Sequence, residues 1–185
     1  MLIGLTGPNA AGKGEVASFL GSRGLRIHSL SDVVREEALA RGLGTAREHL
    51  ILVGNELRRR WGPGVLAERI LPRLAGRDVV DSIRNPAEVE VLRRLEGFVL
   101  VAVDAPEEVR FERLLRRNRP GDPRTLEEFR LRERQENSRD PDAQQLLATF
   151  RLADRVLRND GSLVDLRASI EEVLAAIAAG GRSAP

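Results

Sequence analysis

The chain has 185 residues, 42% of them hydrophobic, which suffices for one α/β domain with a sizeable core. Cysteine is absent, excluding disulfides and thiolate zinc sites, and the two histidines, His28 and His49, stand too far apart in sequence for a local metal motif, so both are expected to be structural. With 30 basic against 28 acidic residues the formal charge is only +2, and aromatic residues are 3% of the chain, so neither bulk charge nor base stacking points to nucleic acid.

In chain order, Leu2 to Thr6 is a short apolar run suited to a buried parallel strand, and a helix start is expected from Glu15 to Leu20. Between them lie Gly7, Pro8, Asn9, Ala10, Ala11, Gly12 and Lys13, a loop bounded by glycines. Strand, glycine loop and helix together are the context of a phosphate-binding P-loop. The glycines admit backbone angles that other residues resist, so successive N–H groups form an anion nest at a helix N-terminus. Lys13 is the sole lysine among the basic residues. A compact ammonium on a thin stem fits beneath a phosphate chain where an arginine fork does not. Gly14 and Glu15 follow, in place of the Ser or Thr that holds magnesium in the usual pattern; Glu15 either reaches magnesium through water or complements the helix dipole.

Leu25 to Ser29 reads as a second strand, with Ser31 capping a helix from Asp32 to about Arg41 that Gly42 and Gly44 break. Thr45 to Glu48 has the capping-box pattern and opens a helix through Arg60; Trp61 to Gly64 turns the chain into another helix from Val65 to Leu74. Val79 to Asp81 gives a third strand, Asn85 and Pro86 start a helix, and Phe98 to Val103 gives a fourth strand. After a helix from Pro106 to Arg117, the stretch from Arg116 to Arg124 is dense in Arg, Pro, Gly and Asp and reads as a mobile basic lid, with Thr125 and Glu128 capping the next helix. Asp154 to Leu157 is a last strand, Asn159 to Gly161 a turn, Leu163 to Ala178 an amphipathic helix, and Gly180 to Pro185 a tail. Apolar stretches such as Phe98 to Val103 and Val173 to Ala179 are too short to span a bilayer, and the N-terminus starts on a strand instead of a signal peptide, so a soluble cytoplasmic protein is expected.

Repeated β-α units around such a loop predict a P-loop NTPase of three-layer α/β/α form with a five-stranded parallel sheet, a helical acceptor-binding insertion and a lid. It is read as one domain: core 1–31, 77–112 and 141–180, insertion 32–76, lid 113–140. Ligands then gather at the carboxyl ends of the strands, near Thr6, Ser29, Asp81 and Asp104.

The residues Gly12 to Gly14, Ser31 to Glu37, Asp81 to Arg84, and Arg113 through Arg132 with Asp122 and Pro123 inside, resemble nucleoside monophosphate kinases of the adenylate kinase type, close to a group of dephospho-CoA-kinase-like P-loop proteins. The likeness spans nearly the whole chain and implies ATP and Mg2+ as cofactors and a small-molecule nucleotide acceptor, in a monomer or homodimer. By that resemblance the loop from Gly7 to Glu15, with Arg113 and Arg117, holds ATP; Asp32, Arg35, Arg58, Arg84 and Arg119 serve the acceptor; Asp81 holds magnesium through water. Lys13, Arg84, Arg117 and Arg132 compensate charge on the transferring group. Asn55 and Arg58 look like a second acceptor-side segment. Where that family has Thr after Gly-Lys-Gly and Pro-Arg after the third strand, this chain has Glu15 and Ile83-Arg84. Phosphoryl transfer asks a protein chiefly for alignment and charge neutralisation, which converging arginines supply. A Ras-like GTPase would need a second lysine to read guanine, and a hydrolytic ATPase an Asp-Glu pair at a strand end; neither is present at Asp81-Ser82 or Asp104-Ala105. A nucleotide-binding sensor or ATPase with little kinase turnover remains the alternative, on the strength of Glu15.

Overall fold

β1 (Leu2–Thr6) is buried at every residue because it is the middle strand of a five-stranded sheet with the order β2-β3-β1-β4-β5. Its partners β3 (Asp78–Asp81) and β4 (Phe98–Asp104) run parallel to it, and β2 (Arg26–Ser29) and β5 (Arg155–Arg158) close the two edges, also parallel. The computed structural model describes residues 1–119 and 121–180; Pro120 of the expected lid and residues 181–185 of the expected tail lie outside them.

Alternation of side chains across the central strands builds two cores. On one face Leu2, Val80 and Leu100 pack against α2 (Leu30–Ala40), α3 (Arg47–Trp61), α4 (Val65–Ile70) and α5 (Pro86–Arg93). On the other, Ile3, Leu5, Val79, Val101 and Val103 pack against α1 (Lys13–Ser22) and α9 (Leu163–Ala178). The result is the expected three-layer α/β/α arrangement. α6 (Glu107–Arg117), α7 (Leu126–Gln135) and α8 (Leu146–Phe150) lie in the chain between β4 and β5.

Several boundaries differ from the expectation for local reasons. Ser29 caps α2, its hydroxyl accepting from the Ser31 amide, so the helix starts at Leu30, two residues earlier than a Ser31 cap implies. The Thr45–Glu48 box does not form: α3 begins at Arg47 behind Ala46, without a side-chain cap. The helix expected over 65–74 ends at Ile70 and continues as a 3-10 turn, Leu71–Arg73, because Pro72 has no N–H to continue an α-helical ladder. Capping boxes at Asn85/Glu88, Thr125/Glu128 and Ser162/Asp165 do form; of these the Asn85 cap and the Thr125/Glu128 box were expected. α8 was not foreseen; five residues are too few to show a helical period.

Candidate active site

The loop between β1 and α1 follows from its glycines. Gly7 has φ 130°, and a Cβ there would stand 2.1 Å from the Val103 carbonyl oxygen, so only glycine lets the loop pass over β4. Gly12 has φ 106°, and a Cβ would meet Asn159 Nδ2 at the same 2.1 Å. That amide donates to the Ala11 carbonyl at 2.7 Å, and Arg113 Nη2 donates to the Asn159 carbonyl at 2.9 Å. Arg113 and Asn159 thus brace the loop from the β5 side. Lys13, the first residue of α1, curls back so that Nζ donates to the carbonyls of Gly7 (2.7 Å) and Pro8 (2.9 Å).

Burial and the neighbouring Arg84 charge lower the Lys13 pKa to about 8, against the pull of Asp81 and Glu136. These neighbours show which elements meet there. Asp81 ends β3; its Oδ1 is buried without a hydrogen-bond partner, while Oδ2 lies 3.4 Å from the Ser82 hydroxyl. Ser82 turns the chain with φ 65°, Thr6 Oγ1 donates to the Ile83 carbonyl at 2.9 Å, and so Arg84 is delivered next to Lys13. The Arg84 amide donates to Glu88 Oε2 (2.8 Å) and its Nη1 to Gln144 (3.1 Å).

Beyond the loop opens a cleft of about 710 Å3. It lies between α2, α3 and the chain after α6, and is lined among others by Asn9, Arg35, Arg47, Arg84, Arg117 and Arg119. Leu30, Val34, Leu50, Ile51 and Leu66 give it an apolar side, and among the described residues no aromatic ring lines it. The expected acceptor residues Arg35, Arg58, Arg84 and Arg119 all border this space; Asp32 is set back, pairing with Arg35 across one turn of α2. Arg58 is 3% exposed and its guanidinium is committed to Glu88 (2.8 Å), so it reaches the cleft as a wall. Asn55 Oδ1 lies 3.5 Å from Arg58 Nη1.

Over the cleft, Arg117 makes a fork with Asp122 at 3.0 and 2.8 Å. Burial acts to raise the Asp122 carboxyl, but hydrogen bonds from Arg117 and the charge beside it hold it below the ordinary carboxylate range. Arg119 is exposed, and Arg132 on α7 has Nη1 buried without a partner. Arg110, which sequence reasoning passed over, pairs with Glu133, donates to the Ala105 carbonyl at 2.9 Å and lies 5.2 Å over the Phe129 ring, fastening α7 to α6. Arg47, Glu136 and Asn159 were missed as well. Asn159 follows the last strand, so the rule of ligands at strand ends marks it; nothing local distinguishes Arg47 or Arg110 from the other arginines.

The residues present suit nucleotide phosphates and a magnesium ion. A glycine loop at a helix N-terminus carries a lysine, and the orphaned Asp81 oxygen beside it is a hard donor of the kind magnesium takes, usually with phosphates and waters completing its shell. Glu15 is exposed and lines a separate groove between α1 and α9, where it sits in the first turn of the helix.

Similarity to known proteins agrees with this architecture. Residues 3–143 match a family described as AAA domain. A UPF0200 protein of Pyrococcus horikoshii is 36% identical, covering 96% of this chain and 97% of its own length, and one of Hyperthermus butylicus is 36% identical over 98% and 97%. Among solved structures, TT1252 from Thermus thermophilus superposes with a TM-score of 0.58 at 28% identity, covering 95% of this chain and 96% of that one. Shikimate kinase from Aquifex aeolicus superposes with a TM-score of 0.55 at 19% identity over 98% and 100%, a likeness of fold. The fold is therefore that of P-loop kinases. No helix among the described residues is long and apolar enough to cross a membrane.

Proposed function

The chain belongs to the UPF0200 family of AAA-domain proteins, and from that premise we propose that it is an ATP-dependent kinase that transfers the terminal phosphoryl group to a nucleoside monophosphate or a related small anionic acceptor. The observation that carries this reading is the continuity of the Lys13 loop with an arginine-lined cleft through Asp81 and Arg84. One half is built for a polyphosphate and the other for an acceptor that bears negative charge.

ATP phosphates would rest on the backbone N–H groups of the loop from Asn9 to Gly14, drawing Lys13 Nζ away from the carbonyls of Gly7 and Pro8 and onto the phosphate oxygens. Magnesium, when bound, supplies charge neutralisation between phosphates, and Asp81 is the residue that would hold it through water. Arg84 and Arg35 grip the acceptor's anionic group. Arg117, Arg119 and Arg132 would serve the transferring group; the Arg132 orphan donor, and Arg117 on giving up Asp122, are the cationic donors for oxygens that gain charge in the transition state. Closure over the cleft excludes water, which would otherwise receive the phosphoryl group. Bonds to three oxygens and in-line alignment leave no need for a strong base when the acceptor is itself a phosphate.

Dephospho-CoA is the second acceptor that fits an anionic group on an apolar body, as the Leu30, Val34 and Ile51 side of the cleft allows. Thermal-shift measurements with a nonhydrolysable ATP analogue present, against nucleoside monophosphates and dephospho-CoA, test the reading. One acceptor class should raise the melting temperature further, by mass action. Stabilisation by the analogue alone, with no acceptor adding to it, would favour the nucleotide sensor instead.

A further inference from the structure

Two of the arginines that line the cleft are joined behind it by one carboxylate. Glu136, the residue that ends α7, is 5% exposed and does not itself line the cleft. Its Oε1 accepts from Arg47 Nη2, and the same oxygen lies 3.9 Å from Arg84 Nη1. The three groups come from separate parts of the chain: Arg47 opens α3 in the insertion, Arg84 follows β3, and Glu136 ends the lid helix. The backbone that carries Glu136 and Arg84 is itself fixed. Leu146 donates its amide to the Glu136 carbonyl at 3.1 Å, Gln145 donates its amide to the Arg84 carbonyl at 2.8 Å, and Asn85 Nδ2 donates to the Pro141 and Ala143 carbonyls at 2.7 and 2.9 Å. A buried carboxylate carried on a backbone pinned in this way is poorly suited to leave its place and well suited to aim what it holds.

We propose that Glu136 is a positioning residue that yokes Arg47 and Arg84 into a single grip for the acceptor's anionic group, making Arg47 an acceptor-side residue in its own right. The proposal rests on the reading of the cleft as the acceptor site. Two guanidiniums converging on one oxygen present their remaining N–H groups as a pair, the arrangement that a phosphate with several acceptor oxygens uses and a single carboxylate uses less fully. The grip joins insertion, sheet and lid, so an acceptor lacking a phosphate would leave Arg47 on Glu136 and Arg84 between Gln144 and Glu136.

The test is calorimetric titration of inorganic phosphate into protein whose P-loop is saturated with a nonhydrolysable ATP analogue and magnesium, for wild type, Glu136→Gln, Arg47→Gln and the double variant. Each single change should raise the phosphate dissociation constant about tenfold, a larger change than any in the analogue's affinity, and the double variant should be no weaker than the poorer single one. Phosphate that binds Glu136→Gln as tightly as wild type, or more tightly, would overturn the proposal, because Glu136 would then be only a counter-charge. If Glu136→Gln does not fold, Arg47→Gln decides: its guanidinium is at the more exposed end of the pair, and unchanged phosphate binding there overturns the proposal equally. Wild type that binds the analogue but no phosphate overturns the proposal alone; wild type that binds no analogue overturns the kinase reading and the proposal with it.

Discussion

Lys13 shows how one side chain can carry both a structural and a chemical argument. Its ammonium is held by two loop carbonyls and is short of a strong counter-charge, so burial and Arg84 bring its pKa down to about 8 from the ordinary 10.5. Because the folded value is depressed, the native state holds fewer protons than the unfolded chain between those two pH values. The contribution of this group to stability therefore rises with pH across that window and is unfavourable below it. Phosphates reverse the sign, since an adjacent polyanion favours the ammonium. Binding of an ATP analogue near pH ~8.5 should take up a fraction of a proton, read as a dependence of the calorimetric heat on buffer ionisation enthalpy, and affinity should fall as pH rises further. Heats that do not vary with the buffer would place Lys13 away from the phosphates. The position itself is plain in the sequence, as the only lysine in a glycine loop; its titration is not, because that depends on Arg84 and Asp81, which arrive from β3.

At the scale of elements, Arg58 separates a wall from a ligand. The pattern Gly54 to Arg58 on α3 draws attention to it, yet the guanidinium is spent on Glu88, which also accepts from the amides of Arg84 (2.8 Å) and Asn85 (3.1 Å). One carboxylate thus ties α3 to the N-terminus of α5 and to the turn that presents Arg84. Arg58→Ala leaves Glu88 buried with its side-chain partner gone and should cost about 3–5 kcal/mol in chemical denaturation. Wild-type stability with weakened acceptor binding would instead make Arg58 a direct ligand. Arg84→Ala should raise the acceptor KM and lower kcat while ATP affinity holds; a change confined to ATP would assign Arg84 to the nucleotide. The strands, the loop, the Asn85 cap and the Thr125/Glu128 capping box were readable because each is written within a few adjacent residues. Partner choice among so many arginines was not, since Arg35, Arg58 and Arg117 look alike in sequence and differ only in which acid the fold brings to them.

For the whole molecule, the five-stranded parallel sheet sets the geometry: β1, β3 and β4 all end at one rim, so Lys13, Asp81 and Arg84 meet there although far apart in the chain. Applied to the sequence, the same rule points to this rim and leaves the cleft's shape open, because that shape depends on how α2, α3 and the chain after α6 pack. What the account claims is that this rim moves a phosphoryl group from ATP to a molecule in the cleft. The most direct measurement is a coupled assay of ADP formation with ATP and magnesium across nucleoside monophosphates and dephospho-CoA, run on wild type and Lys13→Ala. ADP that appears only with an acceptor, and is lost in Lys13→Ala by at least about a hundredfold, is the predicted result. ADP released at the same rate without any acceptor, or turnover that survives the loss of Lys13, would contradict it.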